Sequence, residues 1–484
     1  MKKLLLFILG LLLLFAAYLL INTLTFTSNQ LSVAAVEKAL IPPNAVQHFV
    51  EAISIRTVSF ESENDFDSTQ FRLFNDFLAS NYPLTDSLLD HQTFNEFSHL
   101  YRWEGSDPEL DPMILVSHID VVPIASLRKW TVHPFTEGVK NDTIYGRGTM
   151  DDKFGVVGIM EAVEQLLKEG YQPKRTIYLA FGHDEEVSGR RGAQTIVNYL
   201  HQKGIKASLV LDEGQAIVER MIPGLSQQVA LIGIAEKGYA TLELRVDLVG
   251  GHSSMPAPET AIDVLAAAVS KVKQNPMPAK FTPALEGFID ELGPEMNFQT
   301  KLFFANKNLF KSPILAAYEK GSSAGNATIR TTTSPTIFEA GIKDNVIPTM
   351  ARAVINFRII PGETVDDIIT HLTDVIGDDR VKINVEGTPN AASPVSSIDS
   401  EGYRVVNTSI KQIFPDLLTA PSLVIAATDA RYYHKISSNV YRFIPYEINP
   451  ENLACFHGID ERVLVSEFED GIRFYRQMVL NGGN

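Results

Sequence analysis

Apolar residues fall along this chain in three textures. The first is a single block from Leu4 to Ile21, uncharged and almost wholly apolar. Its eighteen residues are just enough for a helix to cross a bilayer. The second is a set of short continuous runs, "MILVSHIDVV" (Met113 to Val122), "RTIYLAFG" (Arg175 to Gly182) and "ASLVLDEG" (Ala207 to Gly214), each followed by polar residues. Such runs predict strands buried on both faces of a parallel sheet. Between the first two, "KFGVVGIMEAVEQLLKEG" (Lys153 to Gly170) repeats its apolar positions at helical spacing and closes on glycine. Strands alternating with helices predict an α/β domain.

The third texture begins near Glu236. In "YATLELRVDLV" the residues Leu242, Leu244, Val246 and Leu248 alternate with Thr241, Glu243, Arg245 and Asp247, which predicts a strand with one exposed face. A helix is expected over Thr260 to Lys273, then an irregular insertion. A strand "MARAVINFRI" (Met350 to Ile359), a helix over Thr364 to Ile376 and a strand "VKINVEG" (Val381 to Gly387) follow. That order predicts a small α+β sheet of split βαβ type with one open face. The reading is therefore a catalytic-type domain over residues 36–235, an inserted domain over 236–388, and the first domain resuming over 389–484.

Composition narrows the function. At 484 residues two domains are the natural expectation. The formal charge of −16 argues against a nucleic-acid partner, which needs a basic patch. Cys455 is the single cysteine, so intrachain disulfides and cysteine-rich zinc sites are both excluded. Lys2 and Lys3 precede the apolar block and are expected to stay cytoplasmic, placing the bulk of the chain outside. No small-x-small cleavage signal follows the block, so residues 1–25 are read as a single-pass anchor. A cleaved signal and a secreted protein are the alternative.

The chemistry-bearing residues cluster at the ends of the apolar runs. "SHID", "GHDEE" and "LDEG" each close a buried strand, and open parallel sheets build their sites at the carboxyl ends of strands. "GRGTMDDK" (Gly146 to Lys153) stands just before the helix, and "FHGID" lies far downstream. His118 and Asp120 are two residues apart, so an extended chain aims both to one side, where the carboxylate can fix the imidazole. Asp151 and Asp152 share one helix mouth, and a single N-cap needs only one of them. Glu185 and Glu186 are adjacent and point in different directions, so one can ligate a metal while the other faces the reacting water. With Asp212 and His457 this is an oxygen and nitrogen donor set without sulfur, suited to zinc, with manganese and cobalt as rivals. Asp184, the third acid of that run, has no evident role.

"SHIDVVP", "YGRGTMDDK", "GHDEEVSG", "LDEG", "GGHSSMP", "NVIP", "TDARYY" and "HGIDERV" occur in the order and spacing of a known family. By these motifs the chain resembles the di-zinc metallopeptidases that include carboxypeptidase S, aminoacylase-1 and glutamate carboxypeptidase. The resemblance spans nearly everything after the N-terminal block. It is nearest the carboxypeptidase S branch, which also contains N-fatty-acyl-amino-acid synthase/hydrolases. It implies a mostly parallel catalytic domain with a ferredoxin-like lid and dimerisation domain inserted. It implies that His118, Asp151 and Asp212 hold one zinc and that Asp151, Glu186 and His457 hold the other. Glu185 would be the general base, with Asp120 supporting the site. His252 would stabilise the oxyanion, commonly across a homodimer, and Arg431 would grip the substrate carboxylate. The implied reaction is carboxypeptidase-type cleavage of an amide next to a free-carboxylate amino acid. An N-acyl amino acid is the alternative substrate. A non-catalytic binding protein on the same fold would be expected to have lost Glu185 or a ligand, and none is missing.

Overall fold

The computed structural model describes residues 1–136 and 138–484. A ten-stranded sheet forms the larger body. Its four central strands, Ile177–Gly182, Met113–His118, Leu209–Asp212 and Val440–Arg442, lie side by side and parallel. Every residue of these four strands is buried, as their continuous apolar character requires. Antiparallel strands flank this centre at Ser98–Trp103 and Val229–Glu236, and Leu418–Val424 adds a parallel pairing to the latter. Helices cover both faces. Lys153–Lys168 packs with the terminal helix Val465–Gly482 on one side, and Ala193–Gln202 packs on the other.

The inserted sheet has four strands in the order Thr332–Ala340, Met350–Ile359, Gly238–Asp247, Val381–Asn390, all antiparallel. Helices Ala261–Gln274 and Val365–Ile376 cover one face, each opened by a capping box, Thr260 with Asp263 and Thr364 with Asp367. Their apolar sides close a core with Ala240, Leu242, Leu244, Val246 and Ile355. The strand Thr332–Ala340 falls within the stretch read from sequence as irregular. It is a polar edge strand carrying Pro335 at a register shift, so no ladder hydrogen bond is lost to the proline.

Most of the remainder, from Pro283 to Ile329, is helical and does not join the inserted sheet. Helices Pro283–Leu292, Phe298–Ala305 and Lys307–Gly321 pack onto the main body through Leu285, Ile289 and Phe304 against Val229, Leu418 and Ala420. Residues between 236 and 388 thus contribute to more than one core, and only one of these is that of the small sheet.

The N-terminal block is a helix, Lys2–Thr25, long and apolar enough to cross a membrane, with its apolar side chains exposed. Its far end is docked on the helical stretch, where Asn22 Nδ2 donates to Asn306 Oδ1 at 2.9 Å.

Candidate metal centre

Four of the expected residues stand at the carboxyl ends of three of the parallel strands. His118 ends one strand, Glu185 and Glu186 follow another, and Asp212 ends a third. Asp151 lies at the centre. His118 Nε2 is 2.8 Å from Asp151 Oδ1, and His457 Nε2 is 2.7 Å from Asp151 Oδ2. One carboxylate thus faces an imidazole on each side, and Glu186 Oε2 approaches His457 Nε2 at 3.5 Å.

Two groups of donor atoms close enough to share an ion result among the described residues. They are His118, Asp151 and Glu213, and Asp151, Glu186 and His457, within 4.8 Å in each case. The second is the set expected from sequence. In the first, Glu213 stands where Asp212 was expected. Asp212 turns its Oδ1 to the backbone N–H of Glu213 at 2.9 Å, and its Oδ2 is buried without a partner. The strand ends at Asp212, and Gly214 follows at φ +119°, a conformation that favours glycine, so both acids sit where the strand gives way to the next loop.

Asp120 supports the centre from beneath. His118 Nδ1 lies 3.0 Å from its carbonyl oxygen and 3.3 Å from its Oδ1. The backbone N–H groups of Glu185 and Glu186 donate to its two carboxylate oxygens at 3.1 and 3.2 Å. One side chain therefore fixes a histidine and the turn that carries both glutamates.

Two positioning groups escaped the sequence reading. Glu461 accepts from the backbone N–H groups of Gly148, Met150 and Asp151 at 3.1, 2.7 and 3.2 Å and is bound by Arg147. Arg147 also donates to the carbonyls of His457 and Gly458, both at 3.0 Å, tying the Asp151 loop to the His457 loop. Asp184 gains a role as well. It accepts from the N–H groups of Arg191 and Gly192 at 2.8 Å each, holding the turn before the helix Ala193–Gln202.

The electrostatics are those of crowded acids. Burial pushes the Glu185 carboxyl up to about 8 and Asp152 up to about 8, and raises Asp212 to about 6. Burial and the Asp151 charge raise Glu186 and Glu213 well above the ordinary range. Burial opposes the charge of Asp151 too, but the His118 and His457 imidazoles hold it below the usual carboxylate range. Burial likewise disfavours the His118 imidazolium, yet its hydrogen bonds to Asp120 and Asp151 push it well above its ordinary value. Glu186 Oε1, Asp212 Oδ2 and Asp152 Oδ1 are buried without partners. Carboxyl oxygens without partners, gathered around a pair of imidazoles, are oxygen and nitrogen donors left free to ligate, so the donor set fits divalent metal ions.

The other two expected residues lie apart from this group. Arg431 donates to the carbonyls of Thr428 and Ser188, both at 2.9 Å, and its guanidinium lies 4.9 Å from the Tyr432 ring. It is near enough to Glu185 to oppose that carboxyl's upward shift. His252 is exposed on a two-residue strand paired with Val346–Ile347, and its ring contacts Ser254 within its own loop. Beside Glu186 a cavity of about 420 Å³ is lined by Phe60, Val122, Pro123 and Val187, with Glu61 and Asp65 among its other walls.

A three-layered α/β/α body with a histidine and carboxylate cluster at its strand ends defines a metallohydrolase. The family model for peptidase family M20/M25/M40 matches residues 114–481, and the chain belongs to that family. It is 40% identical over 474 residues to a probable carboxypeptidase S-like 2 of Dictyostelium discoideum, covering 96% of this chain and 91% of that one. It is 42% identical over 434 residues to the N-fatty-acyl-amino acid synthase/hydrolase PM20D1 of Xenopus tropicalis, covering 89% and 84%. The fold matches the crystal structure of an M20 family metallo-carboxypeptidase, Sso-CP2 from Sulfolobus solfataricus. The TM-score is 0.66 at 16% identity, covering 91% of this chain and all of that one.

Proposed function

We propose that this protein is a zinc-dependent amidohydrolase with two metal ions, cleaving the peptide bond before a C-terminal amino acid. The observation that carries this reading is Asp151, which faces His118 and His457 from its two oxygens, with a glutamate beyond each. His118, Asp151 and Glu213 would hold one ion, with Asp212 as the rival for the third place. Asp151, Glu186 and His457 would hold the other.

When bound, the two ions polarise the scissile carbonyl and make water a nucleophile near neutral pH. Glu185, the remaining acid of the run, takes the proton of the attacking water and returns it to the leaving nitrogen. A carboxyl whose affinity for protons is raised by burial is suited to both halves of that transfer. Arg431, turning one N–H from a backbone carbonyl to the substrate, orients the free carboxylate. His252 donates to the oxyanion from the second subunit of a homodimer. If sedimentation finds a fully active monomer, that last role falls.

N-acyl amino acids are the second reading. The name of the Xenopus relative and the apolar lining of the cavity beside Glu186 favour it, since such a lining suits an acyl chain. On location, the retained single-pass anchor with an extracytoplasmic body is preferred over a cleaved signal. Removal of residues 1–25 would leave Asn306, 4% exposed, without its partners Asn22 and Leu19.

The test is Glu185→Gln. The variant should bind metal as the parent does and lose about 10²- to 10⁴-fold in kcat. Turnover at the parent rate would refute the assignment of the base.

A further inference from the structure

The N-terminal helix fixes how the body meets the membrane it would cross. Its last turns are built into the helical stretch over residues 283–321. Asn22 Nδ2 donates to Asn306 Oδ1 at 2.9 Å, and Asn306 Nδ2 reaches back to the carbonyl of Leu19 at 3.2 Å. Phe26 packs with Leu285, Ile289 and Phe304, and a Cβ at Gly293 would stand 2.5 Å from its ring. Gln30 then exchanges 2.8 Å hydrogen bonds with both the N–H and the carbonyl of Thr419. The helix is thereby clamped to the body at several points.

That clamp sets a depth. Leu19 lies two residues inside the apolar block that ends at Ile21, so the contact with Asn306 sits about 3 Å within the span at a rise of 1.5 Å per residue. Ala305, Asn306, Asn308 and Leu309 line one side of a cleft whose other side is Tyr18, Asn22, Thr25 and Phe26. Phe298, Leu302 and Ala305 follow one another at helical spacing, so they share the face on which Ala305 meets the N-terminal helix. Phe298 is 58% exposed and Leu309 52% exposed. Two large apolar side chains are thus bare on the pair of helices that hold this contact, Leu309 in the cleft itself and Phe298 two turns of helix from Ala305.

We propose that residues 298–309 form a second membrane contact, lying in the interfacial layer of the leaflet from which the N-terminal helix emerges. The proposal rests on the anchor reading above. Its occupant is a lipid surface, because the surface is continuous with a helix whose apolar side chains have no protein cover. Apolar side chains on a helix of this kind settle at the boundary of headgroups and acyl chains. The contact also orients the catalytic body. Helix Pro283–Leu292 packs on the strand Leu418–Val424, and that strand leads on to the short helix Ala430–Tyr433 that bears Arg431.

The full chain in phosphatidylcholine vesicles tests this directly. Single cysteines replace Phe298, Leu309, Leu9 and the exposed surface residue Lys203, and each is labelled with a fluorophore. The parent, whose one thiol is buried, sets the background. Quenching by nitroxides placed shallow or deep in the lipid is then measured. Labels at 298 and 309 should be quenched several-fold more by shallow nitroxides than the label at 203. The label at 9 should respond most to deep ones. If 298 and 309 behave as 203 while 9 is quenched, the second contact is overturned and the anchor stands. If 9 is unquenched too, both fail. A concentration-dependent blue shift at 298 and 309 without lipid quenching assigns the face to a second copy of the chain and overturns the proposal.

Discussion

Loading the metal centre should release protons, and the number released identifies the ligands. In the metal-free site burial and the Asp151 charge raise Glu186 and Glu213 well above the ordinary carboxyl value, which favours their protonated forms. Burial disfavours the His118 imidazolium, but its hydrogen bonds to Asp120 and Asp151 push it well above its ordinary value, which favours that form. Asp151 is already ionised. Metal ligands bind in their deprotonated forms, and two cations would also draw off the protons of Glu185 and Asp152, both at about 8, so filling both positions should release about three to five protons at about pH 7. Asp212, at about 6, is roughly nine-tenths ionised there and contributes little. The variants therefore separate. Glu213→Gln should lower the count by about one and weaken zinc binding, whereas Asp212→Asn should leave the count unchanged. Calorimetric titration of the metal-free full chain in two buffers of different ionisation enthalpy gives the number directly. Release of less than about one proton, or a count lost with Asp212→Asn instead of Glu213→Gln, would refute the reasoning.

Glu461→Gln keeps the shape of the side chain but removes the charge that holds Arg147 and three N–H groups of the Asp151 loop. Zinc affinity should fall about 10- to 100-fold with little change in the circular dichroism spectrum. His99 is buried and its imidazole is pushed down to about 3, while the unfolded chain titrates near 6.5. Below about 6.5 the unfolded state takes a proton that the folded state refuses, so stability falls as pH drops, by about 2 kcal/mol from this group at about pH 5. Urea unfolding of His99→Gln should show a flatter dependence from about pH 7.5 to 5, and an unchanged slope would contradict the assignment. A methyl group at Gly189, where φ is +63°, would meet Asp429 Oδ1 at 1.9 Å. Gly189→Ala should cost more than about 1 kcal/mol, seen as a lower Tm, and an unchanged Tm would count against this packing.

The catalytic sheet was readable because buried parallel strands are continuous in their apolar residues, and each of the three runs ends in a motif at the site. His118, Asp151, Glu186 and His457 could be named because each stands at such an end or in a recognisable motif. The choice between Asp212 and Glu213 could not be made from the spacing. The two acids are adjacent at one strand end, and which of them can share an ion with His118 and Asp151 depends on where their carboxyl oxygens lie in three dimensions. The Arg147 and Glu461 pair was invisible for another reason: a buried ion pair 314 residues apart in sequence leaves no periodic signal. Asp184 could be explained only once the turn at Arg191 and Gly192 was seen folded back on it. In the insertion, the alternating strands declared themselves. The polar, proline-bearing edge strand Thr332–Ala340 did not, and neither did the helices whose apolar faces are completed by the main body.

The central claim is that the centre built around Asp151 hydrolyses an amide adjacent to a free carboxylate by means of divalent metal. The most direct measurement is turnover of a panel of dipeptides and N-acyl amino acids by the full-length protein. Each is assayed as the free acid and as the C-terminal amide, before and after chelation and with zinc restored. The account predicts cleavage of free acids only, lost on chelation and recovered with zinc. Turnover that survives chelation, or that is equal for acids and amides, would contradict it.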